Sequence, residues 1–182
     1  GNLYITGGND DIYCINAFSG KANWSLKTKF FFPFFRAGRD KIYVNSHRGG
    51  LYIHNDNNDE SEFNTIDLSY QYKVLAIENN NTIYGFSDRL DGQHEIIKQN
   101  TKDSDVRWSF KFIDPPNSNY YPHMVYGALS NDGFFYFNGP EKYYALDSET
   151  GRLKWSYQHA ENGMPSAPPV IGLDKIIYIS WN

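Results

Sequence analysis

Residues 145–155 read Ala145-Leu-Asp-Ser-Glu-Thr-Gly-Arg-Leu-Lys-Trp155, and this stretch decides the fold. The Thr-Gly pair predicts a tight turn, and the tryptophan follows in a segment typical of a strand. A looser copy reads Ile15-Asn-Ala-Phe-Ser-Gly-Lys-Ala-Asn-Trp24. In both copies strand-like aromatic segments come before the turn, as in Phe134-Phe-Tyr-Phe137. The chain therefore contains an internal repeat.

The repeat has a period of about 40 residues, and each copy has a tyrosine at the centre of one strand-like segment. One interval is about 50 residues long, because Ile113-Asp-Pro-Pro-Asn-Ser-Asn-Tyr-Tyr-Pro122 adds a proline-rich loop that cannot lie inside a strand. A unit of this length with four short strands is typical of one β-propeller blade. The central tyrosines are Tyr4, Tyr43, Tyr84, Tyr136 and Tyr178.

We therefore predict an all-β fold of four-stranded antiparallel blades, with almost no helix. About four blades are present: three complete ones, a first copy without its innermost strand and a last copy of two strands. We expect a single propeller segment, residues 1–182, that belongs to a larger ring. Alternatively, a C-terminal strand completes the first blade and leaves one strand over. The predicted blades are residues 1–29 (partial), 30–70, 71–112, 113–160 and 161–182 (partial).

The composition fits a folded protein and argues against some classes of function. Aromatic residues make up 18% of the chain, which favours strands. The net charge is -4 and the basic residues are scattered, so we predict no nucleic-acid partner. No apolar run approaches the roughly 20 residues that span a bilayer, so no transmembrane segment is predicted. Cys14 is the only cysteine, which excludes an internal disulfide.

The stretch that ends at Trp155 resembles the tryptophan-docking motif of pyrroloquinoline-quinone-like propellers. That motif is Ala-x-Asp-x-x-Thr-Gly-x-x-x-Trp, and the stretch matches it at every fixed position. The copy that ends at Trp24 has Asn16 for the Asp and Ser19 for the Thr. Trp108 marks a third copy without a Thr-Gly pair, and the second blade has no tryptophan.

The resemblance implies that the motif is structural. Glycine in the turn permits the positive φ that joins the two outer strands, and the tryptophan lies flat between neighbouring blades. We expect Trp155→Ala to cost about 3–5 kcal/mol, as for other buried aromatic residues. The residues given this structural role are Trp24, Trp108, Trp155, Gly20, Gly151, Asp147 and Thr150.

The resemblance also implies two classes of function. Quinoprotein dehydrogenases hold a quinone and calcium near the propeller axis, whereas proteins similar to the barrel-assembly lipoprotein of bacterial outer membranes are scaffolds that bind proteins. We predict the scaffold class, with no cofactor and no catalytic or metal-binding residue. The alternatives are a fragment of a quinone-dependent dehydrogenase and a dimerising sensor or luminal domain. The resemblance suggests a periplasmic, outer-membrane-associated or extracellular location.

Two aromatic segments are candidate contacts for a protein or glycan partner. The run of residues 30–35 is either the innermost strand of the second blade or an exposed patch, and such patches mark interaction sites. The proline-rich loop is the second candidate, because loops on a rigid scaffold commonly carry its binding function. Open blade edges favour self-association as well. The candidate contact residues are Phe31, Phe32, Phe34, Phe35, Tyr120 and Tyr121.

Overall fold

The structure is a computed structural model, and most of its described residues lie in strands and the turns that join them. Within residues 34–37 it describes the backbone alone. Contacts divide the chain into two compact units, Gly1–Tyr72 and Lys73–Asn182. The described residues are 1–7, 11–27, 34–37, 41–45, 51–55, 64–66, 72–79, 81–88, 93–113, 125–158 and 167–180.

The first unit contains a three-stranded and a four-stranded antiparallel sheet, and neighbours in each sheet follow one another along the chain. Its core joins buried Ile12, Ile42 and Val44, with Tyr4 and Trp24 among the partly buried rings around them. The first sheet consists of β1 (Asn2–Thr6), β2 (Ile12–Asn16) and β3 (Ala22–Leu26). The second consists of β4 (Phe34–Ala37), β5 (Lys41–Asn45), β6 (Leu51–Asn55) and β7 (Asn64–Ile66).

The second unit contains two four-stranded antiparallel sheets and a two-stranded one, again with strands in chain order. The third sheet consists of β8 (Tyr72–Asn79), β9 (Thr82–Asp88), β10 (Gln93–Asn100) and β11 (Val106–Ile113). The fourth consists of β12 (Gly127–Leu129), β13 (Phe134–Asn138), β14 (Lys142–Asp147) and β15 (Leu153–Gln158). The fifth consists of β16 (Val170–Ile171) and β17 (Ile177–Tyr178).

Aromatic side chains fill the core between the third and fourth sheets. The rings of Tyr84 and Phe135 are stacked with centroids 4.5 Å apart, and those of Phe137 and Tyr144 are stacked at 4.9 Å. Strand alternation points one face of each strand at the neighbouring sheet, which explains how residues from both sheets share one apolar cluster.

The three repeat tryptophans occupy equivalent places, each in the last strand of its sheet and beside a β-bulge. Trp24 pairs with Cys14, Trp108 with Lys98 and Trp155 with Ala145, and in each case the register shifts directly after the partner residue. A bulge increases local twist and redirects side chains. The shared bulge therefore gives the three indoles the same place in their sheets.

The sheets agree with the predicted fold: three have four strands, and partial sheets come first and last. The described residues contain no helix, and thus none that is long and apolar enough to cross a membrane. Most of the predicted blade boundaries lie outside the described residues, so these boundaries stay a prediction.

Candidate functional site

The turn at residues 147–151, here the Asp147 turn, is held in shape by one carboxylate. Asp147 Oδ1 accepts hydrogen bonds from the backbone N–H of Glu149 at 3.2 Å and of Thr150 at 2.9 Å, and from the Thr150 hydroxyl at 2.9 Å. The hydrogen bonds from Thr150, with a smaller effect of Lys154, lower the pKa of the Asp147 carboxyl below its ordinary value. Gly151 closes the turn with φ of 69°, a conformation that favours glycine.

Trp108 of the third sheet packs on the Asp147 turn. Its Nε1–H donates to the Ser148 carbonyl at 3.0 Å, and its side chain is almost fully buried. The indole lies so close to Gly151 that a Cβ built there would be 2.6 Å from indole Cδ2. Glycine is therefore required at position 151 for two reasons: its φ is positive, and the indole leaves no room for a Cβ. The Asp147 turn is thus a docking site, here called a seat, on which the tryptophan of the preceding sheet packs.

A buried lysine strengthens the same contact. Lys98 Nζ donates to the Ser148 carbonyl at 3.1 Å and forms ion pairs with Glu149 at 2.9 Å and with Glu78 at 3.1 Å. Burial lowers the pKa of the Lys98 ammonium, but the hydrogen bonds to the two carboxylates outweigh this effect, and the pKa is raised. Lys98 therefore remains charged and links β10 to the turn of the next sheet.

Tyr84 completes this polar cluster. Its hydroxyl lies 3.2 Å from Glu78 Oε1 and 3.4 Å from the Ser148 carbonyl oxygen. Burial, and to a smaller extent the charge of Glu78, raises the pKa of Tyr84 to about 12. The neutral hydroxyl is thus favoured, which keeps it a hydrogen-bond donor next to an acceptor.

The turn at residues 16–20, here the Asn16 turn, has the same geometry although its sequence differs. Asn16 Oδ1 accepts from the backbone N–H of Phe18 and of Ser19, both at 3.0 Å, and Gly20 has φ of 68°. The difference lies above the turn. A Cβ built on Gly20 would meet no atom within 4 Å, and the Phe18 side chain is 91% exposed. Among the described residues, no tryptophan packs on the Asn16 turn.

Sequence reasoning missed a third turn of this kind, at residues 100–104. Asn100 Oδ1 accepts from the Lys102 backbone N–H at 2.9 Å, and Ser104 takes the glycine position with φ of 58°. The signal was the spacing, since Asn100 precedes Trp108 by as many residues as Asp147 precedes Trp155. The repeat before this turn lacks the tryptophan, so no indole from that repeat requires a glycine at Ser104.

Trp155 differs from the expectation that it lies buried between blades. Its side chain is 41% exposed, and it contacts the ring of Tyr136 at a centroid distance of 5.7 Å. Among the described residues none accepts a hydrogen bond from its indole N–H. The loss of about 3–5 kcal/mol expected for Trp155→Ala assumed a buried indole, and the observed exposure favours a smaller loss, because truncating a side chain that is partly in water removes less buried surface.

A pocket of about 500 Å³ lies beside Trp155. Aromatic side chains of the fourth sheet form most of its wall, and Ile177 of β17 and Ile179 also line it. The exposed apolar surface continues along β15 to Tyr157. The residues of the fourth sheet that line the pocket are Tyr136, Tyr143, Tyr144, Trp155, Ser156 and Tyr157.

The structure describes some of the other predicted site residues and leaves others outside the described residues. Trp24 is partly buried, with its ring centroid 5.1 Å from that of His54 and 6.0 Å from that of Tyr4. Within the described ranges no three His, Cys, Asp or Glu side chains form a group that could hold a metal ion. The side chains of Phe31, Phe32, Phe34, Phe35, Tyr120 and Tyr121, predicted as partner contacts, lie outside the described residues.

Comparison with known proteins gives matches in structure alone. No protein-family model and no curated protein matches the sequence. The WD40 β-propeller domain of Doa1 aligns with 98% of this chain at a TM-score of 0.74 and 13% identity. BamB from Moraxella catarrhalis aligns with 92% of it at 0.58 and 13%. The sheets are β-propeller blades.

The likeness extends to an enzyme as well. The quinohemoprotein alcohol dehydrogenase ADHIIG from Pseudomonas putida aligns with 100% of this chain at a TM-score of 0.57 and 12% identity. Identities this low show the fold alone, and the predicted fold class is confirmed at that level. The chain spans 57% of the Doa1 structure, 55% of BamB and 37% of the dehydrogenase.

Proposed function

We propose that the chain is a non-catalytic β-propeller segment of the pyrroloquinoline-quinone-like kind that binds a protein partner. The binding surface is the aromatic face of β15 around Trp155. The observation that carries this proposal is the exposure of Trp155, whose equivalent Trp108 is seated and buried within the chain. The exposed indole is a large apolar group on a face that also presents Tyr157.

The size and chemistry of the surface support a protein partner. Trp155 and Tyr157 alternate along β15 after the bulge and therefore point to one side of the sheet, and each is at least two-fifths exposed. Ile177 of the fifth sheet and Ile179 add apolar side chains to the pocket beside Trp155. Continuous exposed apolar surface on a soluble domain is typical of interaction sites, and tryptophan and tyrosine are the residues that anchor protein interfaces.

Site-specific photo-cross-linking tests this proposal. A photoreactive phenylalanine analogue replaces Tyr157 in the protein expressed in its native source, and the matched control carries it at Lys111, an exposed position on β11. We expect a discrete protein adduct from position 157, absent at position 111 and reduced by Trp155→Ala. No protein adduct at position 157, or release of a glycan from that position instead, contradicts the proposal.

A separate assay tests the alternative that the chain is a fragment of a quinone-dependent dehydrogenase. Alcohol oxidation by the native protein that depends on added pyrroloquinoline quinone and calcium would assign it to the dehydrogenases. The proposal predicts no such activity under conditions in which a quinoprotein dehydrogenase used as a positive control is active.

A further inference from the structure

We infer that Lys98 and Glu149 form a docking key, a pair of side chains that selects the turn on which a tryptophan packs. The key directs Trp108 to the Asp147 turn and away from other turns of the same shape. It is a conformational device within the chain, because it determines which blade packs on which during folding. The key lies between the third and fourth sheets, so it is independent of the partner proposed for the face around Trp155.

The backbone shape of the turns does not select the seat. In the Asn16 turn, as in the Asp147 turn, the side-chain oxygen of the Asx residue accepts hydrogen bonds from two backbone N–H groups. In both turns the closing glycine donates its N–H to the Asx carbonyl at 2.9 Å, and the two glycines have φ of 68° and 69°. Trp108 binds the Ser148 carbonyl, a backbone group that every such turn contains. Another feature must therefore distinguish the correct turn.

Two side-chain positions distinguish the turns. The first lies opposite the tryptophan in the strand ladder, where the three copies have Cys14, Lys98 and Ala145. The second lies two residues after the Asx residue, where the three described turns have Phe18, Lys102 and Glu149. Lys98 is the one cation among the residues at the first position, and Glu149 is the one anion at the second. Their Nζ and Oε1 atoms lie 2.9 Å apart.

Burial makes this pairing selective. The Lys98 side chain is 7% exposed, and a buried ammonium needs carboxylate partners because it has lost much of its hydration. On the Asn16 turn the ammonium would lie against Phe18 and would lose one of its two carboxylates. On the turn at residues 100–104 it would meet the like charge of Lys102. An unpaired or opposed charge at the wrong site is a general source of specificity among similar surfaces.

The other groups around the ammonium do not contribute to the selection. Glu78 pairs with Lys98 at 3.1 Å, but both residues belong to the third sheet and stay together whichever turn is docked. The hydroxyl of Tyr84 also belongs to the third sheet, and it is neutral. Of the charged partners that the described residues provide for Lys98, Glu149 alone comes from the fourth sheet. The choice of turn therefore depends on Glu149.

A docking key suits a chain of similar blades. Repeats that share one type of contact can dock in the wrong order, and misassembly is a characteristic failure of repeat proteins during folding. A buried ion pair adds little stability compared with an apolar pair of the same size, but it can favour one arrangement over others. The pair of Lys98 and Glu149 thus acts mainly on the choice of docking turn.

Refolding of the native full-length protein from urea tests the inference. Phe18→Glu places a carboxylate on the Asn16 turn and offers Lys98 a second seat, so we expect the yield of native monomer to fall about threefold or more. Phe18→Gln, which has nearly the same size and no charge, is the matched control and is expected to refold with the yield of the parent. Thermal melts of the native fractions of the two variants are expected to coincide, since the key acts on the choice of contact.

The dependence on Lys98 is tested in a Lys98→Met background. There Phe18→Glu and Phe18→Gln are expected to refold with the same yield, because the new carboxylate has no ammonium to pair with. Equal yields of the two Phe18 variants in the unchanged background overturn the inference. A difference between them that persists in Lys98→Met overturns it as well.

A carbodiimide, which joins a carboxylate directly to the amine beside it, identifies the wrong contact. Mass spectrometry of the cross-linked native monomer is expected to find Lys98 joined to Glu149. In the non-native fraction of Phe18→Glu, Lys98 is expected to be joined to position 18. A non-native fraction without this cross-link overturns the inference.

Discussion

Gly20 and Gly151 have nearly the same φ but different surroundings. A Cβ would meet open space at Gly20 and the indole of Trp108 at Gly151. The two positions therefore separate the backbone requirement for glycine from the packing requirement.

The pair leads to a prediction at the scale of single residues. Gly20→Ala is expected to lower the free energy of unfolding by about 1–2 kcal/mol, the cost of a left-handed conformation for an L-residue. Gly151→Ala is expected to lower the free energy of unfolding by about 1–3 kcal/mol more than Gly20→Ala does, because the new methyl group overlaps Trp108. Urea unfolding of the two variants at a concentration that keeps the protein monomeric measures the difference. Equal losses would show that Trp108 is not seated on Gly151.

The ionisation of Tyr84 gives a second prediction. Its pKa of about 12 lies above the ordinary value of 10.0 in the unfolded chain, so the folded state retains the proton that the unfolded state loses. The contribution of this group to stability is complete below pH 10 and is lost as the pH rises from 10 to 12.

The difference between the ultraviolet titrations of the parent protein and of Tyr84→Phe isolates this single hydroxyl. We expect a difference curve with its midpoint near pH 12, and a smaller loss of stability between pH 10 and 12 in Tyr84→Phe than in the parent. A difference curve centred at pH 10 would contradict the buried contact with Ser148 and Glu78.

At the scale of elements, two equivalent strands of the repeat differ in how far their tryptophans are buried. β11 and β15 are both last strands with a tryptophan beside a bulge. Trp108 on β11 is 9% exposed and hydrogen-bonded, whereas Trp155 on β15 is 41% exposed. The sequence motif therefore sets the position of the indole in its strand, and the neighbouring element determines whether the indole is buried.

The two tryptophans should consequently differ in their effect on stability. Trp108→Ala is expected to cost about 3–5 kcal/mol, as for a buried aromatic residue. Trp155→Ala is expected to cost about 1–2 kcal/mol in the monomer, since much of its surface is already in water. Chemical unfolding of both variants at low protein concentration tests this order, and a larger loss for Trp155→Ala would contradict it.

The repeat itself was predictable because its signals are local. Tyrosine-centred strands and the Thr-Gly turn are read within a few residues, and the predicted number of complete and partial blades agrees with the observed sheets. The Asn100 turn was missed because Asp103 and Ser104 replace the Thr-Gly pair, although an Asx side chain and a positive φ still form the turn.

The candidate site could be predicted only in part. Trp155 and its motif were identified, but its exposure depends on the element that follows, which the motif does not encode. The cluster of Lys98, Glu78 and Glu149 joins residues that are distant along the chain, and no local pattern links them. These residues come together only in the folded chain, where β10 lies against the turn that follows β14.

At the scale of the whole molecule, the tryptophans of the repeat account for part of the stability and for the proposed interaction. Trp108 joins the third sheet to the fourth, and the exposed Trp155 on the fourth sheet forms part of the apolar face that we propose binds a partner.

The most direct test of the account is the reactivity of Trp155 towards hydroxyl radicals, read by mass spectrometry. Trp108 serves as the internal standard for a buried indole in the same molecule. We expect Trp155 to be oxidised readily in dilute purified protein and to be protected to the level of Trp108 in extracts of the native source, where the partner is present. Trp155 that is equally reactive in both samples would contradict a binding face, and Trp155 protected in the dilute monomer would contradict its exposure.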